Sequence, residues 1–323
     1  MLSKTIKYII TNIKTRAQKN KFCKNEIIEN TSEIMHYVNA KSILSNKNGM
    51  NLYRGCTHGC IYCDSRSNLY NMNHSFEDIE IKANATELLK KALKNKKEKV
   101  IIGTGSMTDP YIPLERKIQS VRESLELINK YGHGFTCITK SNLILRDLDL
   151  LKEINEKAKV VIQMTLTTYD EELCKTLEPN VCTTKERVKV LKILNKHNIP
   201  TIVWLCPILP FINDTEENIN GILDYCIDAN VKGIICFGMG MTLRDGNMEY
   251  FYSKLDKHFP GLKEKYIRTY GNSYGIASPN QKELMKIFYK RTNENNMMNN
   301  PEEIFTYLHE FPSKDKTKQT TLF

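Results

Sequence analysis

Six short apolar runs, each followed by a segment with helical spacing, set the strictest limit on how this 323-residue chain can fold. The runs lie at 49–53, 99–103 (KVIIG), 135–139 (FTCIT), 159–167 (KVVIQMTLT), 200–205 (PTIVWL) and 233–237 (GIICF). Between them, the spacing predicts helices over 84–95, 115–130, 147–156, 184–197 and 215–229. Strands that alternate with helices pair in parallel, because a parallel neighbour is reached only through a crossover. Right-handed crossovers repeated in one direction curl such a sheet into a barrel or part of one. Past residue 240 the rhythm stops, and patterns at 247–257 and 279–291 predict a helical C-terminal extension. The composition of NENNMMNN (293–300) reads as a linker, and the last residues as a flexible tail. The expected organisation is an N-terminal extension (1–45), a barrel core (46–240), a helical extension (241–292) and a final segment of linker, short helix and tail (293–323).

The unusual residues fall just after the predicted strands. NLYRGCTHGCIYCDSRS (51–67) follows the first, GTGSMTDPY (103–111) the second and TKS (139–141) the third. TLTT (165–168) ends the fourth, CPILPFIND (206–214) follows the fifth and GMGMTLRDG (238–246) the sixth. In a parallel α/β barrel the C-terminal strand ends face one mouth, where chemistry sits.

Three of the ten cysteines, Cys56, Cys60 and Cys63, crowd into eight positions. The other seven are scattered, several inside apolar runs where they read as small buried hydrophobes. Structural zinc prefers four ligands, commonly as two separated pairs; here there is one triplet, with His58 poorly placed between two thiols. Iron in iron–sulfur clusters is held by thiolates, and three of them on a four-iron cubane leave one iron open to a ligand. Gly55 and Gly59 would let the backbone fold tightly round such a cluster.

C-x-x-x-C-x-x-C with Tyr62 before the last cysteine resembles the signature of the radical S-adenosylmethionine (SAM) superfamily. With GTGSMTDPYIPLERK, TKSNLILRDLDLL and PILPFIND, roughly residues 46 to 290 look like its photolyase-like branch, related to spore photoproduct lyase. The resemblance implies a partial (β/α)6 TIM-type barrel, a [4Fe–4S] cluster on Cys56, Cys60 and Cys63, and SAM on the open iron. It implies an enzyme that cleaves SAM reductively to a 5′-deoxyadenosyl radical, which takes hydrogen from a substrate. Carried over residue by residue, Tyr62 would lie near the adenine and the backbone of Gly103, Thr104 and Gly105 near the SAM amino group. Thr108 and Asp109 match a Ser-Asp pair, Lys140 would meet the SAM carboxylate, and Thr165 matches a hydroxyl that touches the cofactor. Plainer readings stand beside these: Asp109 starting a turn before Pro110, Lys140 as a solvated loop lysine, Thr165 as a strand former. Arg54 and Arg66 would steady the cluster, bind phosphate or form surface ion pairs, while Arg146, Asp147 and Asp149 would only start a helix. No catalytic residue is singled out. Where the lyase carries a hydrogen-donating cysteine, this chain has Ser106, whose O–H bond is much stronger than a thiol S–H.

The net charge is +10, much of it lysine of the kind in KKALKNKKEK (90–99). It reads either as compositional bias or as attraction to nucleic acid. QTTLF, Gln319 to Phe323, resembles the short peptides that dock on the sliding clamp. No run approaches the ~18 apolar residues of a membrane helix, and no signal peptide is legible, so the expected location is cytoplasmic. The functional expectation is a radical SAM enzyme, lyase-like or oxidoreductase-like, on a nucleic acid in DNA repair, served by a reductant such as flavodoxin or ferredoxin. The alternatives are the same chemistry on a peptide or small molecule, and a clamp-associated DNA-binding protein with a structural cluster.

Overall fold

The computed structural model describes residues 35–312; the basic N-terminus and the clamp-like Gln319–Phe323 lie outside the described residues. The strands are β1 (Met35–Val38), β2 (Gly49–Met50), β3 (Tyr53–Arg54), β4 (Ile79–Lys82), β5 (Ile101–Thr104), β6 (Gly134–Thr139), β7 (Val160–Thr165), β8 (Thr201–Trp204), β9 (Gly233–Ile235), β10 (Gly240–Thr242) and β11 (Gly275–Ala277). Six of them form one sheet in the order β2-β5-β6-β7-β8-β9, every pair parallel. This is the α/β partial barrel expected of the alternation.

Strand alternation divides the sheet's two faces. Val160, Ile162 and Met164 of β7 pack with Ile102, Phe135 and Val203 in the main core under the helices. The opposite face, lining the barrel interior, carries Val161, Ile202 and Ile235. Five crossover helices cover the outside: α1 (Ala85–Asn95), α3 (Ser120–Tyr131), α4 (Leu148–Lys157), α6 (Thr184–Lys196) and α7 (Glu216–Asp228). Each buries an i, i+3, i+4 stripe, as with Val121, Leu125 and Ile128 of α3. The helix expected over 115–130 is broken, because Gln119 adopts a left-handed φ of 59° and separates α2 (Glu115–Ile118) from α3. The remaining helices are α5 (Glu171–Leu177), α8 (Asn247–His258), α9 (Leu262–Tyr270), α10 (Gln281–Glu294) and α11 (Pro301–His309).

Three corrections to the sequence reading bear on the site. The strand expected at 49–53 is split: β2 pairs with β5, whereas β3 turns into a separate sheet, β1-β4-β3. That small sheet takes residues 35–38 from the segment read as an N-terminal extension. The stretch read as a linker, 293–300, is built into the barrel edge. Met297 is buried, and Ile234 donates its N–H to the Met298 carbonyl at 2.8 Å. The reason is elementary: β9 is the sheet's last strand, and its outer backbone groups need partners. Helix α11 then closes the barrel from within, setting Ile304 and Leu308 against Val161, Ile202 and Ile235.

Candidate active site

The cysteine segment leaves β3 and is clamped from both sides. Gly55 has φ +87°, and a Cβ there would lie 2.7 Å from the Phe76 carbonyl oxygen, so only glycine fits. Cys56 donates its N–H to that same carbonyl at 2.8 Å. On the far side, Cys60, Ile61 and Tyr62 pack with Leu177, Met241, Phe251, Tyr266 and Ile276. The hairpin β10–β11, with α8 and α9, is therefore the lid of the cysteine loop rather than a loose appendage.

One cavity of about 780 Å³ opens at the C-terminal ends of the barrel strands. Cys56, Cys60, Tyr62, Cys63, Gly105, Asp109, Lys140 and Thr165 all line it. Gly103, Thr104 and Thr108 do not. The Gly103 N–H is taken by the Asn48 carbonyl at 3.1 Å. Thr104 shares the helix-facing side of β5 with Ile102, and Thr108 is buried away from the cavity. Only Gly105 of the Gly103–Gly105 segment presents backbone to the cavity. Its φ is +99°, and a Cβ would stand 2.1 Å from the Ile138 oxygen.

Asp109 does more than start a turn. Its Oδ1 accepts from the Tyr111 N–H at 2.9 Å and the Thr139 hydroxyl at 2.8 Å, and its Oδ2 from the Lys140 N–H at 2.7 Å. His58 Nδ1 lies 3.5 Å from Oδ2. The carboxylate thus ties the loop after β5 to the loop after β6 and sets the backbone of Lys140.

The Lys140 ammonium is 4.0 Å from Glu178 and 5.7 Å from the centre of the Tyr62 ring. Burial works against its charge, but the Cys60 sulfur and the Glu178 carboxylate prevail and hold its pKa above the ordinary lysine value. Lys140 is therefore not the solvated loop lysine of the plainer reading. Glu178 accepts from the Tyr62 hydroxyl and pairs with Arg187 at 2.5 Å. Arg187 in turn donates to the carbonyls of Cys182 at 2.9 Å and Thr165 at 3.0 Å. The sequence reading missed this buried pair. Its trace is Arg187 lying on the apolar stripe of α6, among Val188, Leu191 and Leu194.

Other candidates take structural roles. Arg66 pairs with Glu77 and lies on the Tyr250 ring at 3.7 Å. Arg54 donates to the carbonyls of Tyr70 and Asn71. Asp147 is fully buried and gathers Arg122 and Arg146, away from the cavity. Ser106 does line the cavity, and so does Cys206, a thiol that the sequence reading had grouped with the scattered cysteines.

The donor set fits a cluster better than a single ion. Cys56, Cys60 and Cys63 are free thiols. An ion bound at about 2.3 Å per sulfur draws its ligand atoms within about 4 Å of one another. The three sulfurs are not gathered even within 4.8 Å; among the described residues only His36, His74 and Glu80 are grouped so closely. A multi-iron cluster carries its thiolates farther apart.

The Radical SAM superfamily model matches residues 50–226, more than half of the chain. The chain belongs to the radical SAM superfamily. Radical SAM enzymes use a [4Fe–4S] cluster and SAM, and they need a reductant. An uncharacterized protein of Mycobacterium tuberculosis is 26% identical over 245 residues, 73% of this chain and 71% of its own length. One of Methanocaldococcus jannaschii is 30% identical over 181 residues, 55% of this chain and 67% of its own. Spore photoproduct lyase complexed with dinucleoside spore photoproduct superposes with a TM-score of 0.55 at 13% identity, over 86% of this chain and 79% of that one. At that identity the likeness is one of fold. No helix among the described residues is long and apolar enough to cross a membrane.

Proposed function

We propose that this radical SAM protein acts on a nucleic acid, presented to the cavity by an aromatic rim. The observation that carries the reading is Phe237, which is 62% exposed yet lines the same cavity as the three thiols. Its ring is 6.0 Å from Trp204 and stacks at 6.3 Å on Phe305. Trp204 is held from below by a 2.8 Å bond from its indole N–H to Gln163, so the platform is rigid. An exposed ring on a rigid aromatic base suits a planar base, whose stacking contributes about 1–3 kcal/mol. The net charge of +10 favours the phosphate backbone. The fold neighbour spore photoproduct lyase carries a dinucleoside ligand in its own structure, which supports the same substrate class.

In this reading Cys56, Cys60 and Cys63 hold the cluster, which with SAM supplies a radical able to take hydrogen from carbon. The chain's own residues position and shield. Lys140, set by Asp109 and Glu178, would meet the SAM carboxylate, and the Gly105 backbone and Thr165, which line the cavity, would help hold the cofactor. The lid of α8, α9 and β10–β11 packs on the cysteine loop from the far side. A flavodoxin or ferredoxin is the fitting electron donor, and repair or modification of DNA the fitting role.

The test is anaerobic turnover of the reconstituted full-length protein. DNA, damaged or undamaged, should raise 5′-deoxyadenosine formation and exchange deuterium with labelled SAM. Cys56→Ala, Cys60→Ala and Cys63→Ala should each abolish both, whereas Cys206→Ala should keep the iron. Turnover that ignores nucleic acid but responds to a peptide refutes the substrate class; no SAM cleavage at all refutes the enzyme reading.

A further inference from the structure

The small sheet outside the barrel brings two imidazoles and a carboxylate together. His36 on β1 and Glu80 on β4 are register partners in a parallel pair, so they stand side by side on one face. That face is opposite the one that buries Ile79 and Ile81. His74 arrives from the turn before β4, its ring meeting that of His36 edge-on at 4.8 Å. One ligand atom from each of the three residues lies within 4.8 Å of the others.

The hydrogen bonds decide which nitrogens are left free. His36 Nδ1 is 2.8 Å from Asp78 Oδ1, and His74 Nδ1 is 3.0 Å from the Ser75 carbonyl oxygen. Both partners only accept, so both Nδ1 atoms carry the proton and donate. In the neutral imidazole each Nε2 then keeps its lone pair. His74 Nε2 is buried without a hydrogen-bond partner, and its nearest ion-pairing atom is Glu80 Oε2 at 3.7 Å. A lone pair facing a carboxylate oxygen is two acceptors with nothing between them. Nδ1 bonded to a carboxylate or carbonyl, with Nε2 free, is the arrangement by which proteins orient metal-binding histidines.

We propose that His36 Nε2, His74 Nε2 and the Glu80 carboxylate bind a divalent transition-metal ion of the zinc class, with water in the fourth place. Tetrahedral ligands at about 2.0–2.2 Å stand about 3.3–3.6 Å apart, so the 3.7 Å gap closes with a small side-chain movement. Asp78 acts from behind as the partner of His36. Two cations stand near Glu80: Arg54, its register partner, whose guanidinium is drawn off to the Tyr70 and Asn71 carbonyls, and Lys82, whose ammonium donates to the Asn51 carbonyl at 2.7 Å. The ion would pin β1, β4 and the 71–78 turn together. That turn holds Cys56 through the Phe76 carbonyl, so the site braces the outer side of the cysteine loop.

The experiment takes the cluster-loaded full chain, equilibrates it with Zn²⁺, dialyses it, and counts zinc and iron per chain. The expected result is one zinc per chain. His74→Gln and Glu80→Gln should lose it at unchanged iron content, and Asp78→Asn should weaken binding about 10–100-fold. No zinc in the wild type, or zinc kept by both ligand variants, overturns the proposal. If the variants lose iron as well, zinc-edge X-ray absorption of the wild type decides. A first shell of nitrogen and oxygen near 2.0–2.1 Å supports the site, and a sulfur shell near 2.3 Å overturns it. Its failure would leave the cluster assignment untouched.

Discussion

Replacing Arg187 by methionine tests whether the buried pair behind the cavity holds the site together. Arg187 is fully buried and Glu178 nearly so, and they meet at 2.5 Å. Breaking such a pair by removing one partner costs about 3–5 kcal/mol, because the remaining charge stays buried. Glu178 would keep the Tyr62 hydroxyl and Lys140 at 4.0 Å, which places the expected loss at the low end, about 3 kcal/mol. At roughly 2–4 °C per kcal/mol for domains of 150–250 residues, the unfolding midpoint should fall by about 6–12 °C. Urea unfolding at a fixed cluster state measures the loss directly, since bound cofactor stabilises by mass action. The double variant Arg187→Met/Glu178→Gln removes both charges and should recover part of it. SAM affinity should fall in the single variant too, because Glu178 then draws on Lys140 and Tyr62 alone. A loss under about 1 kcal/mol, or a double variant worse than the sum of the singles, would refute the argument.

Gly105→Ala combines a left-handed φ with a Cβ 2.1 Å from the Ile138 oxygen, and should cost about 2–4 kcal/mol in urea unfolding; a neutral result would mean the two loops do not meet there. Phe237→Ala, at an exposed position, should change stability by less than about 0.5 kcal/mol while weakening single-stranded DNA binding about tenfold or more by fluorescence anisotropy. Stability should fall as pH drops below about 6.5. His133 Nδ1 accepts the Val100 N–H at 3.2 Å, and burial, with Lys99 nearby, holds its pKa below the ordinary histidine value. The unfolded chain therefore takes up a proton first, and the stabilisation present above the unfolded pKa is lost on descending towards the folded one. His133→Asn should flatten that slope between pH 7 and 5.

How much of the molecule was legible depended on how local its cause was. The thiol triplet, with Gly55 and Gly59 around it, was legible because its spacing lies within one loop. Lys140, Asp109 and Thr165 could be placed at the mouth because each ends or follows a strand. Glu178 and Arg187 could not, because their partners Tyr62, Cys182 and Thr165 meet them only in three dimensions. Gly103 and Thr104 were placed at the cofactor by the family resemblance; the pleat turns the Thr104 side chain towards the helices, and the Asn48 carbonyl takes the Gly103 N–H.

Hydrophobic period alone determined the layers of this protein: six short apolar runs and the helices between them leave few ways to bury both, and a curled parallel sheet is one. Tertiary structure decided what no period encodes. It split the first strand between two sheets: Met50 pairs with Thr104 of β5, and Tyr53 with Ile81 of β4. It recruited Met298 to the open edge of β9, because an edge carbonyl and amide need partners wherever in the chain they are found. It also set His36, His74 and Glu80 around one point, because strand register, not sequence distance, chooses which side chains become neighbours.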